Sequence, residues 1–170
     1  MRKVILGLAV SLDGYIEGPN GEYDWCFTDQ DYGLNDFMKR IDAILMGRKS
    51  YEVAQSMEGT NPWDGMTTYV FSRTRESVNG NAQVVKGELA DVVATLKAKP
   101  GKDIWLFGGA ELTTGFINAG LIDAYWLAVH PIILGSGKPL FQHIDGRKTL
   151  RLLESKTYDT GLVSLWYAPA

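Results

Sequence analysis

The stretch Asp103-Ile-Trp-Leu-Phe-Gly-Gly-Ala-Glu-Leu112 constrains the fold of this chain most. Its apolar opening, bounded by charge, predicts a short buried strand. Gly108 and Gly109 end that strand, and Ala110 to Asn118 then carries Leu112, Phe116 and Ile117 at helical spacing. A strand that passes through a glycine pair into a helix aims backbone N–H groups and a helix N-terminus at one point. Lacking side chains, the two glycines let an anionic group come close to the backbone. The stretch is therefore read as a turn that holds a nucleotide pyrophosphate.

The chain around it alternates strand and helix. Val4 to Val10 is a near-continuous apolar run, as expected of a strand covered on both faces. A glycine-rich loop follows, with turns at Asp13-Gly14 and Asn20-Gly21, and then the aromatics Tyr23, Trp25 and Phe27. Asp31 to Arg40 predicts a helix with an apolar stripe of Leu34, Phe37, Met38 and Ile41. Asp42 to Met46 predicts a strand, Gly47 to Ser50 a turn, Ser50 to Met57 a helix and 58–65 a loop. Strands are expected at Thr67–Phe71 and Gln83–Val85. A helix follows at Glu88–Lys99, with Leu89, Val92, Val93 and Leu96 on one face, and Pro100-Gly101 stops it. Beyond Gly120, a strand at Leu121–Val129 leads into an irregular connection over 130–144. Strands at Arg147–Thr157 and Leu162–Ala168 turn at Asp159-Thr-Gly161.

Alternation first and strands last predict an α/β fold. It has three layers, α/β/α, with a mostly parallel central sheet and an antiparallel C-terminal strand pair. With 170 residues the chain reads as a single domain over 1–170.

Net charge is -3, without a long basic run, which argues against nucleic acid or an anionic membrane surface as partner. Cys26 is the only cysteine, so neither an intrachain disulfide nor a cysteine-rich zinc site can form. Cys26 itself reads as a small half-buried side chain. No apolar run approaches the ~20 residues of a membrane span. The charged and apolar N-terminus lacks a small-residue cleavage site, so it reads as the first core strand, and the protein as cytoplasmic.

Three strand ends share a design. Met46 is followed by Gly47-Arg48-Lys49-Ser50, Phe71 by Ser72-Arg73-Thr74, and Phe107 by Gly108-Gly109-Ala110. In parallel sheets the ligand crevice lies beyond the carboxyl ends of the strands. Arginine suits phosphate because its planar fork donates two parallel charge-assisted bonds. Two arginines on separate turns fit a ligand with separated phosphates, such as NADPH. The Gly-x-Gly-x-x-Gly of a standard Rossmann turn does not follow the first strand. Gly135-Ser-Gly-Lys138 lacks the earlier glycine and the following hydroxyl of a phosphate loop.

Met46-Gly-Arg-Lys-Ser-Tyr-Glu52, Val70-Phe-Ser-Arg-Thr74 and Ile104-Trp-Leu-Phe-Gly-Gly-Ala110 resemble the dihydrofolate reductase fold. Ser11-Leu-Asp-Gly-Tyr-Ile16 and His130-Pro-Ile-Ile-Leu-Gly-Ser-Gly-Lys-Pro-Leu-Phe141 resemble its riboflavin branch. That branch comprises the C-terminal reductase domain of the bifunctional riboflavin-biosynthesis deaminase-reductase and its small stand-alone members. The resemblance spans nearly the whole chain. It implies an NADPH-dependent reductase acting on a small heterocyclic or ribosylaminopyrimidine-like substrate. Dihydrofolate reductase proper and a non-catalytic NADP-binding protein stand as alternatives.

By the same resemblance, Gly47, Arg48 and Ser50 match the turn that holds the NADPH phosphates. Ser72, Arg73 and Thr74 match the strand end that takes the 2′-phosphate. Gly108, Gly109, Ala110, Glu111 and Leu112 match the pyrophosphate turn, and Ala9 and Val10 lie where the first strand passes the nicotinamide. Asp13 matches the aspartate of the riboflavin-branch motif near the substrate side. The folate-reductase carboxylate falls by spacing near Gly33, which leaves Asp31 and Asp36 beside it as candidates. The deaminase half, with its His-x-Glu and Pro-Cys-x-x-Cys zinc site, is missing. His130, before Pro131, reads as structural and His143 as a surface residue. Leu165, Trp166 and Tyr167 on the last strand suit either burial or pairing in a homodimer.

Overall fold

The computed structural model describes residues 1–56, 63–74, 76–78 and 80–170. Its strands are β1 (Val4–Ser11), β2 (Tyr15–Glu17), β3 (Ile41–Gly47), β4 (Thr67–Phe71), β5 (Ala82–Val85), β6 (Asp103–Gly108), β7 (Ala124–His130), β8 (Lys138–Pro139), β9 (Leu150–Thr157) and β10 (Val163–Pro169). Its helices are α1 (Leu34–Lys39), α2 (Arg48–Ser56), α3 (Leu89–Ala98) and α4 (Ala110–Asn118).

Eight strands form one sheet in the order β5-β4-β3-β6-β1-β7-β10-β9. Pairing is parallel from β5 to β7, and β10 runs antiparallel to both β7 and β9. Alternate residues of each strand face opposite sides, so the sheet carries two cores. One core joins Val4, Leu6, Leu45, Ile104, Leu106 and Leu127 to α3 through Val93 and Leu96, and to α4 through Phe116 and Ile117. The other joins Ile5, Ile44, Met46, Val70, Trp105 and Trp126 to α1 through Phe37 and to α2 through Tyr51. The layers are α/β/α, as expected from the alternation of elements.

Several boundaries differ from the sequence expectation, each for a local reason. The helix expected from Asp31 begins at Leu34. Asp31 instead caps it, accepting from the Gly33 N–H at 3.0 Å and the Asn35 N–H at 2.9 Å. Leu34 is exposed and does not join the apolar stripe; Phe37, Met38 and Ile41 do. The turn expected over Gly47–Ser50 does not form, because β3 passes directly into α2 at Arg48. Met57, expected at the end of that helix, and the loop residues 58–62 lie outside the described residues. The strand expected from Leu121 begins at Ala124. Leu121 N–H closes the end of α4 on the Phe116 carbonyl at 2.9 Å, and Asp123 N–H bonds the Val4 carbonyl at 2.9 Å. Ile122 is apolar because it is buried in that closure rather than because it is strand. The strand expected from Arg147 begins at Leu150. Tyr15–Glu17 and Lys138–Pro139, expected as loop, pair as a separate two-stranded ribbon.

Candidate functional site

The strands end at one edge in two different ways. β3 and β6 stay paired to their ends, where Met46 lies beside Gly108, and β4 continues the row with Gly47 beside Phe71. β1 pairs with β7 as far as Ser11 beside His130. Between β1 and β6, however, the register runs only from Val4–Ile104 to Leu6–Leu106. The sheet therefore splits toward its carboxyl edge. The chain leaves β1 toward α1 on one face and leaves β6 into α4 on the other. A crevice at such a switch point is where parallel sheets bind ligands.

On the β4-β3-β6 side the crevice is lined by close-packed backbone. The Gly108–Gly109 peptide is cis, and Gly108 has φ +105°, which a side chain rarely tolerates. A Cβ on Gly109 would meet Ser50 Oγ at 3.2 Å, and one on Gly108 would meet Thr113 Oγ1 at 3.2 Å. A Cβ on Gly47 would lie 3.9 Å from the Gly109 nitrogen and 4.0 Å from the Gly108 oxygen. The turn of Gly47 and Ser50 and the turn of Gly108 and Gly109, far apart in sequence, are thus brought to one place. The first intrahelical bond of α4 is Thr113 N–H to the Gly109 carbonyl at 2.9 Å. The N–H groups of Ala110, Glu111 and Leu112 therefore have no partner within the helix.

The other expected cofactor residues distribute around this cradle. Ser72, Arg73 and Thr74 follow Phe71, the strand neighbour of Gly47; Ser72 is half-buried, and Arg73 and Thr74 are exposed. Arg48 opens α2 and is held at 3.3 Å by Glu52, one turn along. Ala9 is half-buried beside Ala128, and Val10 is buried beside Val129, on the far side of the split. Thr113, almost fully buried beneath Gly108, was not picked out in the sequence; a threonine among the apolar positions of the helix is the only signal it leaves.

On the β1-β7 side, side chains do the work. Asp13 Oδ1 accepts from the Ser11 hydroxyl at 2.6 Å and the Leu134 N–H at 3.1 Å, and Oδ2 accepts from the Gly135 N–H at 2.8 Å. The Ser11 bond, reinforced by the two N–H groups, holds this carboxyl below the usual aspartate range. His130 is buried; its ring nitrogens lie 2.9 Å from the Ala128 carbonyl (Nδ1) and 3.1 Å from the Phe27 N–H (Nε2). A carbonyl only accepts and an N–H only donates, so the proton sits on Nδ1 and the ring is neutral. Burial lowers its pKa accordingly. Trp25 stands edge-on to His130 at 5.3 Å and Phe27 lies tilted at 5.0 Å. His130 thus has the structural role expected of it: it pins the aromatic loop to the carboxyl edge. Burial, then the Asp24 charge, raises the Cys26 thiol to about 11, which keeps it protonated.

Asp31 and Asp36 are not brought to the glycine turns. Asp31 caps α1. Asp36 is exposed, paired with Lys39 at 2.9 Å, and borders a groove between α1 and the β9–β10 hairpin.

The model of the RibD C-terminal domain matches residues 2–164. The chain belongs to the RibD C-terminal domain family. It is 44% identical over 177 residues to the uncharacterized protein YyaP of Bacillus subtilis (strain 168), covering 98% of this chain and 94% of that protein. A Shewanella sp. PV-4 protein that carries a provisional riboflavin-biosynthesis name superposes with TM-score 0.90 at 28% identity, over 99% of both chains. The Thermotoga maritima diaminohydroxyphosphoribosylaminopyrimidine deaminase/5-amino-6-(5-phosphoribosylamino)uracil reductase superposes with TM-score 0.78 at 15% identity. That match covers 99% of this chain and 57% of the Thermotoga one. The RibD C-terminal domain family is the riboflavin branch that the sequence motifs resemble. Among the described residues, no helix is long and apolar enough to cross a membrane.

Proposed function

We propose that the protein is an NADPH-dependent reductase of the riboflavin-biosynthesis type, acting on a small heterocyclic or ribosylaminopyrimidine-like substrate in the cytoplasm, with residues 1–170 as one reductase domain. The observation that carries this reading is the cradle of Gly47, Gly108 and Gly109. Glycine at these three positions lets the two turns pack closely and keeps their backbone bare beside the α4 N–H groups that have no partner within the helix, which supports a pyrophosphate there.

Ser50 and the first turn of α4 bind phosphate oxygens in this reading. Arg48 and the Ser72-Arg73-Thr74 turn take the remaining charge, with Arg73 on the 2′-phosphate. Ala9 and Val10 present the β1 backbone to the nicotinamide. Bound NADPH supplies the hydride. Asp13 acts as a positioning residue: it fixes the 134–135 backbone on the substrate side through two hydrogen bonds and is itself oriented by the Ser11 hydroxyl. Dihydrofolate reduction proper gains no support, because the Asp31 and Asp36 carboxylates serve the cap and the Lys39 pair. The last strands, including the half-buried Trp166 and Tyr167, are the surface for a homodimer in this reading.

The test is saturable NADPH binding by fluorescence quenching, followed by loss of NADPH absorbance with a panel of ribosylaminopyrimidines. Absence of NADPH binding would overturn the reading.

A further inference from the structure

Thr113 is a polar residue in an apolar place. It is 1% exposed and shares the buried face of α4 with Ala110, Phe116 and Ile117. Its N–H closes the first turn of the helix on the Gly109 carbonyl. Its hydroxyl makes no hydrogen bond to any described residue. A threonine inside a helix commonly turns its hydroxyl back to the carbonyl four positions earlier, as Thr95 does to the Asp91 carbonyl at 2.9 Å. Thr113 does not use the Gly109 carbonyl in this way. Among the described residues, no side-chain nitrogen or oxygen that is closed off from solvent lacks a hydrogen-bond partner. The Thr113 hydroxyl oxygen is therefore not closed off, and the little exposure that the residue keeps includes that atom.

The hydroxyl lies at the glycine turn. A Cβ on Gly108 would meet Thr113 Oγ1 at 3.2 Å, and a Cβ on Gly109 would meet Ser50 Oγ at the same distance. Ser50, half-buried in the first turn of α2, likewise gives its hydroxyl to no described residue. Two helices thus each bring one uncommitted hydroxyl to the same turn. They meet there with the N–H groups of Ala110, Glu111 and Leu112, which have no partner within α4. A hydroxyl held in an apolar face without an acceptor is unfavourable, and valine would fill the same space without the oxygen. The oxygen has a use at this position if a ligand completes its bonding.

Building on the reductase reading above, we propose that Thr113 is a ligand-binding residue, whose hydroxyl acts with that of Ser50 to hold the phosphate oxygens of the dinucleotide at the Gly108-Gly109 turn. Phosphate oxygens accept, so each hydroxyl donates. The pyrophosphate is then held jointly by the starts of α2 and α4, and Gly108 must stay bare so that Thr113 can reach it.

The experiment uses the full chain, with NADPH and inorganic pyrophosphate as probes. Affinities of the parent, Thr113→Val and Thr113→Ser are measured calorimetrically, beside melting curves without ligand. Thr113→Val should weaken both probes about tenfold or more, the loss expected for a hydrogen bond to a charged group. Its ligand-free melting temperature should be no lower than that of the parent, because no bond within the protein is lost. Thr113→Ser, which keeps the oxygen, should bind both probes within about threefold of the parent. Parent-like NADPH binding by Thr113→Val would overturn the proposal and leave the reductase reading standing. So would a loss that serine does not restore, a loss that accompanies a lower melting temperature, or a loss confined to NADPH and absent for pyrophosphate. Failure of the parent to bind NADPH, with pyrophosphate still held through Thr113, would overturn the reductase reading alone. Failure to bind either probe would overturn both.

Discussion

The indole Nε1 of Trp105 donates to the Gly7 carbonyl across 2.8 Å, just beyond the point where β1 and β6 cease to pair. A side chain there takes over a bond that the strand ladder no longer makes. It ties the two strands together below the crevice while their ends diverge. Gly7 must remain bare for this, since a Cβ would meet Trp105 Nε1 at 3.2 Å and the Phe37 and Trp126 rings at 3.3 Å each.

Gly7→Ala should therefore destabilise the fold by about 1–3 kcal/mol through overpacking. Trp105→Phe should cost about 1–3 kcal/mol by leaving a buried carbonyl unpaired. Urea unfolding of the two variants and the parent measures both. Parent-like midpoints would remove the splice from the account of the crevice.

Gly47→Ala separates ligand space from fold stability. Its methyl would make only ordinary contacts, 3.9 and 4.0 Å from the second glycine turn. Stability should stay within about 0.5 kcal/mol of the parent. NADPH affinity should fall about tenfold or more, or about 1.4 kcal/mol, because the methyl fills the cradle. Calorimetric titration beside a melting curve reads both quantities, and unchanged affinity would mean that the cradle is only a tight turn.

Arg73→Ala should discriminate between cofactors. Loss of a charge-assisted hydrogen bond is worth about 1.5–3 kcal/mol, or roughly 10–100-fold. That loss should appear for NADPH and be nearly absent for NADH, which lacks the 2′-phosphate. Equal losses for the two would place Arg73 on some other part of the ligand.

His130 makes the anchoring of the aromatic loop sensitive to acid. Its folded-state pKa is depressed by burial, so protonation is disfavoured in the native state. The stability it contributes is fully present above the unfolded imidazole value of ~6.5 and is lost as pH falls through the folded value. The Phe27 N–H then faces a protonated Nε2 that cannot accept. The melting temperature of the parent should drop more between pH 7 and pH 5 than that of His130→Gln, which cannot titrate. Parallel slopes would show that the ring is not the sensor.

Much of the fold was legible because it follows from local chemistry. Continuous apolar runs marked β1 and β3, a glycine pair after Phe107 marked the junction into α4, and Pro100-Gly101 marked the end of α3. The glycine turns of the candidate site were legible for the same reason, since glycines at strand ends must answer to backbone geometry. What stayed hidden depends on contacts distant in sequence. Thr113 matters because it lies under Gly108, Trp105 because β1 and β6 diverge, and His130 because a loop 103 positions earlier bonds to it. Asp31 stays open as a candidate in the sequence because a carboxylate near a helix start has the same local signature whether it caps the helix, as it does here, or faces a ligand.

The position of β1 has a consequence for how the polypeptide acquires its shape. The strand made first lies between two strands made more than 90 residues later, β6 and β7. Closing such long loops costs entropy before any contact repays it, and topologies of this kind fold slowly. During synthesis Val4 to Val10 waits as an unpaired, strongly apolar segment until residues 103–130 have left the ribosome. Chaperone demand and loss to aggregation should therefore concentrate in that interval. A chain cut short before β7 would leave one edge of its central strand open.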